Sequence, residues 1–244
     1  MAGPELQLVD AAGATVWRVG RAPDPWAWID RHYAGKARWD DPEVTFRTTY
    51  AADSLFGAFV ELLVYSRPDL NGDGSDMLAG IDEDPEDAAE FPVPAAGSIE
   101  RHWVNGRMIG VASLGGAYVD VRAAATVAAL RPQHLKFALS LGFDDFDAAA
   151  LKRAHPRALT HRLTVDFYAM TNDDGTPTVD GVHFGSRHGD DIALWAICER
   201  PGDNPSSMHL GNVGTRLVRE DDDELLRAMD LHGLTWRDQR NGEG

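Results

Sequence analysis

The sequence predicts an α+β fold, because strand-like and helix-like segments are mixed along the chain without a repeating strand-helix-strand order. The clearest strand pair is "TVDGVHFGS" followed by "DIALWAICE", joined by "RHGD" in hairpin-turn position. The clearest helix covers residues 53–67, whose middle turns are almost wholly apolar. An α+β arrangement is therefore favoured over a doubly wound sheet.

The other elements follow in chain order, and we treat all 244 residues as one domain. Strands are predicted at "ATVWRVG" and "FRTTYAA", and the second leads into the 53–67 helix, which Asp53 is predicted to cap. Residues 68–97 are acidic and rich in Gly, Pro and Asp, which predicts an inserted loop. After the insert we predict strands at "RMIGVASL" and "AYVDV", followed by helices at about 122–139, 146–154 and 158–171. The hairpin comes next. It is followed by a strand near 213–219, a helix at about 222–230 and a short charged tail.

Composition restricts the classes of function. With 43% hydrophobic residues and seven Trp, the chain can fill a core. Its 23 basic and 39 acidic residues give a net charge of −16, which disfavours direct binding to nucleic acid or to anionic membranes. The one cysteine, Cys198, lies in an apolar stretch and is predicted to be a buried, inert thiol. Because no signal-like N-terminus and no run of about 18 apolar residues occurs, we expect a soluble, cytoplasmic protein.

The 53–67 helix carries one carboxylate, Glu61, inside its apolar run. On a helical wheel the large apolar residues share one side, and Glu61 lies on the other, among small residues. Such a face is typical of the floor of a cleft. A carboxylate buried there needs a cation or hydrogen-bond donors nearby. The alternative is that Glu61 lies at the edge of the helix and points to water. The large side comprises Leu55, Phe56, Phe59 and Leu63, and the small side comprises Ser54, Gly57, Ala58, Glu61 and Tyr65.

Two arginines are candidate partners for an anion. Arg18 lies in the middle of the predicted strand "TVWRVG", where a charge among apolar neighbours must point toward a polar site or an edge. Arg38 precedes Trp39 in "GKARWDDP", a turn-rich stretch suited to positioning a guanidinium against a phosphate. For each arginine taken alone, a surface salt bridge is the alternative role.

Four segments resemble, in chain order, the motifs of the RES domain family, which is named for an Arg, a Glu and a Ser: "VWRVG", "ARWDDP", "TTYAADSLFGAFVELL" and "GVHFGSRHGDD". The matching features are a Y-x-A-[DE]-S segment with the Glu eleven residues after the Tyr, an R-W pair about a dozen residues before that Tyr, and a G-[VI]-x-[FY]-x-S strand. The resemblance covers roughly residues 14–66 and 107–200. The chain departs from the family at Val19, where many relatives carry Tyr, and in the 68–97 insert.

The resemblance implies an ADP-ribosyltransferase-like fold, with a mixed antiparallel sheet core and surrounding helices. It also implies a toxin of a bacterial toxin–antitoxin pair that consumes NAD as its substrate by cleaving the nicotinamide-ribosyl bond. Glu61, Ser186 and Arg38 would form the catalytic set, in which Glu61 is the carboxylate and Ser186 hydrogen-bonds the nicotinamide ribose. Arg18 would join Arg38 in holding the phosphates and ribose, and Tyr50 would pack on the nicotinamide end. No further cofactor is implied.

The chemistry suits a carboxylate at position 61. Cleavage of the nicotinamide-ribosyl bond passes through an oxocarbenium-like state, and a carboxylate in a dry pocket stabilises that transient positive charge. The sequence leaves water and inorganic phosphate both open as acceptors. There are two alternatives. The acceptor could be a protein, which would make the chain an ADP-ribosyltransferase, or the chain could be a catalytically silent RES-like protein that only binds a partner. The partner implied by the resemblance is an antitoxin that has a helix-turn-helix part and a C-terminal segment that would plug the NAD cleft. The sequence also leaves open that the chain forms a homo-oligomer.

Two competing signals are weaker. Residues 69–80 begin like a calcium loop, with Asp69, Asn71 and Asp73, but Gly80 stands where the bidentate Glu is needed, which favours a solvated acidic insert. His188 could orient a nucleophile beside Ser186, but a histidine in a hairpin turn is predicted to face water. The sequence has no H-E-x-x-H, Rossmann or P-loop motif, so we predict no metal site and no NAD site of those classes.

Overall fold

The computed structural model describes residues 4–68, 97–153 and 155–237. Residues 69–96 of the predicted insert, including the calcium-like stretch, lie outside the described residues, as do residues 238–244 of the predicted tail. Among the described residues no helix has the length and apolar character needed to cross a membrane.

The strands of the described ranges are mostly antiparallel. In chain order they are β1 (Leu8–Asp10), β2 (Ala14–Arg21), β3 (Thr48–Ala52), β4 (Ser98–Glu100), β5 (Arg107–Leu114), β6 (Ala117–Asp120), β7 (Gly181–Gly185), β8 (Ala193–Cys198), β9 (Leu210–Leu217) and β10 (Thr235–Arg237). Eight of them form one sheet in the order β1-β6-β7-β8-β3-β2-β5-β9, in which only β6 and β7 run parallel. β10 and β4 form a separate parallel pair.

Helices cover one face of the sheet. They are α1 (Leu55–Leu63), α2 (Ala124–Ser140), α3 (Ala148–Lys152), α4 (Ala158–Tyr168) and α5 (Asp223–His232). Each contributes buried side chains to one apolar cluster, which also takes in Val182 and Phe184 of β7. The α+β class predicted from the sequence is therefore confirmed. Among the helical members of the cluster are Phe59, Leu130, Leu151, Leu163 and Leu225.

The element predictions hold in type but shift at their ends. The β7–β8 hairpin forms as predicted, with Gly185 opposite Ala193 next to the turn. The cap of α1 is Ser54, whose side chain accepts a hydrogen bond from the Gly57 N–H at 3.1 Å, so the assignment to Asp53 is wrong. The reason is that Asp53 still belongs to the strand ladder, because its N–H donates to the Ala193 carbonyl at 3.1 Å.

The opposite face of the sheet carries a smaller apolar cluster around Trp26. The segment that holds Trp26 packs directly on glycines of two paired strands. A Cβ at Gly110 would lie 2.8 Å from Trp26 Cε2 and closer still to Nε1, and a Cβ at Gly20 would lie 2.7 Å from Pro25 Cα. The two glycines therefore let the segment lie flat on β2 and β5.

We predict that Gly110→Ala lowers the free energy of unfolding by about 1–3 kcal/mol, because the added methyl group overlaps a rigid, fully buried indole. Urea denaturation measures the change. Gly115→Ala is the matched control, since a Cβ there meets its nearest atom, the His209 carbonyl oxygen, at an ordinary 3.7 Å. Equal stability of the two variants would contradict the close packing of Trp26.

Candidate active site

The end of the β7–β8 hairpin brings Ser186 against Glu61 of α1. The Ser186 hydroxyl donates a hydrogen bond to Glu61 Oε1, which joins two residues that lie 125 positions apart in the chain. The Ser186 oxygen in turn accepts a hydrogen bond from the His188 backbone N–H at 2.8 Å. Ser186 is 1% exposed and Glu61 is half-buried. Because its oxygen already accepts from the turn, the Ser186 hydroxyl is oriented to donate to the carboxylate.

Close packing of α1 on the hairpin makes this contact possible. Gly57 is buried, and a Cβ at this position would approach Ile192 Cγ2 to 2.8 Å. The small-residue face predicted as an open cleft floor therefore packs, at Gly57, on the hairpin. Tyr65, which was assigned to the same face, is 72% exposed. Glu61 lies at the border between these environments, against the hairpin and not at a freely solvated helix edge.

Arg38 is the arginine that the structure places beside this pair. Its Nη1 lies 3.5 Å from the Gly185 carbonyl oxygen, and its guanidinium carbon lies 5.6 Å from the centre of the Phe184 ring. Burial lowers the pKa of Arg38, and the attraction of Glu61 opposes that shift. Since an arginine keeps its proton in proteins, Arg38 supplies a fixed positive charge that attracts the carboxylate.

Hydrogen bonds to the backbone fix the loop that carries Arg38. The Tyr50 hydroxyl accepts from the Trp39 N–H at 2.9 Å and donates to Asp40 Oδ1 at 2.7 Å. The His161 ring nitrogen Nε2 lies 2.8 Å from the Ala37 carbonyl oxygen. Burial, together with Asp40, raises the pKa of Tyr50, so the hydroxyl keeps its proton as a donor. Tyr50 therefore positions the Arg38 loop from behind, with its ring edge toward Phe184.

Arg18 is engaged elsewhere. Its Nε donates to the Pro25 carbonyl at 2.7 Å, and its Nη1 donates to the Tyr50 carbonyl at 2.8 Å. Burial lowers the pKa of Arg18 to about 10. The side chain thus ties the Trp26 segment to β3 through backbone carbonyls, whereas Arg38 interacts electrostatically with Glu61.

A chain of side-chain contacts runs from the C-terminus of α5 to the Ser186 turn. His232 Nε2 lies 2.8 Å from the Val60 carbonyl oxygen, and its Nδ1 accepts from Arg67 Nε at 2.6 Å. Arg67 Nη1 then lies 3.4 Å from Nδ1 of His188. This chain fixes the neutral tautomer of His232, with its proton on Nε2. His188 is half-buried against Arg67, so the prediction that it simply faces water is wrong.

The surroundings of His188 keep it neutral. Burial lowers the pKa of His188 to about 4, and the positive charges of Arg187, Arg67 and Arg38 act in the same direction, as does His232. Nε of Arg187 lies 3.3 Å from His188 Nε2, on the side of the ring opposite Arg67. At neutral pH the imidazole is therefore uncharged, and it accepts from only one of these two arginines, because its other ring nitrogen carries the proton.

The site is a local concentration of positive charge in an acidic chain. Arg38 interacts electrostatically with Arg157 and Arg187, and His188 does so with Arg67, although the chain as a whole carries a net charge of −16. Such a group of guanidinium groups around one carboxylate is suited to hold an anionic ligand whose reacting atom becomes positive. Within the described ranges, no group of three or more His, Cys, Asp or Glu side chains is arranged to hold a metal ion.

The structure thus brings together Glu61, Ser186 and Arg38, places Tyr50 behind the Arg38 loop, and directs Arg18 to backbone carbonyls. Sequence reasoning missed Arg67 and His232. These two residues lie 165 positions apart and neither belongs to a motif, so the pattern of the sequence carries no signal for their contact.

Comparisons with known proteins give little further information. No family model matches the chain, and no curated protein matches it. Among solved structures, the chain is similar to the crystal structure of the M. tuberculosis MbcT–MbcA toxin–antitoxin complex, with a TM-score of 0.39 and 15% identity over 89% of this chain and 88% of that chain.

We predict that Arg67→Gln raises the pKa of His188 above about 4, because a positive charge that opposes protonation of the imidazole is removed. Burial and Arg187 still act in the variant, so the pKa should stay below the ordinary value of 6.5. An NMR titration of the His188 ring protons measures the change. Arg219→Gln, at an exposed arginine paired with Asp221, is the control; an unchanged His188 pKa in Arg67→Gln would contradict the contact chain.

Proposed function

We propose that the chain is an NAD-consuming enzyme with an ADP-ribosyltransferase-like fold, which cleaves the bond between nicotinamide and ribose and transfers the ADP-ribosyl group to water or to inorganic phosphate. The observation that carries the proposal is the hydrogen bond from Ser186 to Glu61, with Arg38 beside it. The RES resemblance implies these three residues as one catalytic set, although they come from three distant segments of the chain.

In this proposal each residue has a role that its geometry supports. Ser186 holds one oxygen of the Glu61 carboxylate, which leaves the other oxygen to face the anomeric carbon of the nicotinamide ribose. As the glycosidic bond breaks, its electron pair moves to the pyridinium nitrogen, so nicotinamide leaves neutral and needs no general acid. The positive charge that develops on the ribose is stabilised by the carboxylate. The acceptor oxygen then bonds to the anomeric carbon, and an attacking water loses its proton to solvent.

Arg38 provides the complementary charge. A guanidinium next to the carboxylate can hold the diphosphate of NAD in the ground state as well as in the transition state. In this proposal Tyr50 acts mainly by fixing the Arg38 loop, because its hydroxyl is hydrogen-bonded to Trp39 and Asp40. The contribution of Arg18 to phosphate binding, implied by the resemblance, would require that it leave its two carbonyl partners.

The toxin role and the partner are also part of the proposal. The family resemblance supports an antitoxin that has a helix-turn-helix part and whose C-terminal segment plugs the NAD cleft. The local positive charge of the site would then favour an acidic or C-terminal carboxylate group on the segment that enters it.

The direct test incubates the purified full chain with NAD, in buffers with and without inorganic phosphate, and follows free nicotinamide by chromatography. Release in both buffers is expected for a glycohydrolase, and release that requires phosphate is expected for a phosphorylase. Absence of release under both conditions, from folded protein, would show that the proposed reaction is wrong.

We predict that Glu61→Gln lowers kcat for nicotinamide release about a hundred- to a thousandfold, because the amide keeps the shape and can still accept from Ser186 but lacks the negative charge. NAD binding, measured by calorimetry, should change little. Arg38→Ala should instead raise KM, since a phosphate contact acts in the ground state too. Glu5→Gln, at an exposed glutamate, is the control; near-normal kcat in a folded Glu61→Gln variant would remove Glu61 from the mechanism.

A further inference from the structure

The last turn of α5 reaches the helix that carries Glu61. His232 is the final residue of α5, which ends there because Gly233 adopts a left-handed conformation, with a φ of 66°. The His232 side chain is buried, and its Nε2 lies 2.8 Å from the Val60 carbonyl oxygen of α1. Because Arg67 Nε donates to Nδ1 of the same ring at 2.6 Å, the ring proton is on Nε2, and His232 donates to Val60.

The Val60 carbonyl is a backbone group that directly sets the position of Glu61. It belongs to the planar peptide unit that joins Val60 to Glu61, so a hydrogen bond to this oxygen holds the plane to which the Glu61 Cα is attached. Val60 is also the fourth residue from the end of α1, where the hydrogen bonding of an α-helix is incomplete. The N–H of His232 therefore stabilises the turn of α1 that presents the carboxylate.

Arg67 connects this backbone contact to the contact that holds the Glu61 side chain. Ser186 donates to the carboxylate, and its oxygen accepts from the His188 backbone N–H at 2.8 Å. Arg67 Nη1 lies 3.4 Å from the His188 ring, while its Nε holds His232. The peptide and the carboxylate of Glu61 are thus held by two groups that meet at one arginine.

His232 is suited to this position because it is neutral. Burial lowers the pKa of His232 and the charge of Arg67 acts in the same direction, whereas the hydrogen bond to Val60 and the charge of Glu61 oppose the shift. A positive imidazolium near Glu61 would offset part of the negative charge that stabilises a cationic transition state. A neutral imidazole can position the carboxylate without this loss.

We propose that His232 is a positioning residue for Glu61, which holds the Val60–Glu61 peptide through its Nε2–H, and that Arg67 fixes the tautomer needed for this contact. The inference rests on the proposed function for the reaction that Glu61 serves. It gives α5 a role in catalysis, although His232 lies 172 positions from Val60 and contacts no residue of the catalytic set through its own hydrogen bonds.

The test compares His232→Gln with His232→Phe. The glutamine amide can donate to Val60 and accept from Arg67, whereas phenylalanine fills the space but offers neither group. In the nicotinamide-release assay, His232→Phe should lower kcat about ten- to a hundredfold with KM for NAD little changed, because a displaced carboxylate loses transition-state stabilisation while the phosphate contacts remain. His232→Gln should keep most of the wild-type kcat.

Leu225→Val is the matched control for a general loss of stability, because Leu225 is a fully buried apolar residue of the same helix. This variant should lower the melting temperature and leave kcat unchanged. An unchanged kcat in folded His232→Phe would overturn the proposal. So would a loss of kcat that is as large in His232→Gln or in Leu225→Val as in His232→Phe, because His232 would then only stabilise the fold.

A second measurement does not require the reaction. The NMR chemical shift of the Glu61 carboxylate carbon should change in His232→Phe, return toward its wild-type value in His232→Gln and stay unchanged in Leu225→Val. If the wild-type protein releases no nicotinamide but this signal follows the expected pattern, the positioning role stands and the proposed reaction fails. If nicotinamide is released and neither kcat nor this signal depends on His232, the proposed reaction stands and the positioning role fails.

Discussion

The close approach of α1 to the β7–β8 hairpin is the constraint on which the candidate site depends. Gly57 permits this approach, because any side chain there would meet Ile192, and the Ser54 cap starts the helix in the right orientation. With the helix at this distance, the Ser186 hydroxyl reaches Glu61. A helix displaced by the width of one methyl group would separate the two functional groups. Helix packing in the core therefore sets the geometry of the polar site.

The charge of the site differs from the charge of the chain. At long range a net charge of −16 disfavours anions, yet the charged groups that act on Arg38 and His188 are mainly arginines. Fields of buried or half-buried groups are screened less than those of exposed ones, so the local cations dominate inside the site. The acidic exterior then acts against nonspecific anions such as nucleic acid, whereas a small anion that reaches the site meets positive charge.

The sequence predicts the parts of this structure that leave a local pattern. Alternating apolar residues and a Gly-Asp turn identify the β7–β8 hairpin, and the apolar run identifies α1. The strands β1, β4 and β10 have only three residues each, too few to show a period. Glu61 was singled out by the small-residue face of its helix and Arg38 by its turn-rich segment, whereas Ser186 came from a family motif alone. Arg67 and His232 could not be found in this way, because a contact between unpatterned residues exists only after α5 has packed on α1.

The two arginines of the family motif illustrate how identical chemistry acquires different roles from the fold. β2 and β3 share one paired position, Trp17 opposite Ala52, and beyond it Arg18 connects the two strands through the Tyr50 carbonyl. A guanidinium is well suited to this task, because its several N–H groups can satisfy carbonyls that a separated strand pair leaves open. Arg38 is carried by a loop whose backbone is fixed by Tyr50, and its guanidinium attracts Glu61 electrostatically. Arg18 thus stabilises the strand junction from which the Tyr50 side chain fixes the Arg38 loop, and Arg38 supplies the charge that attracts the carboxylate.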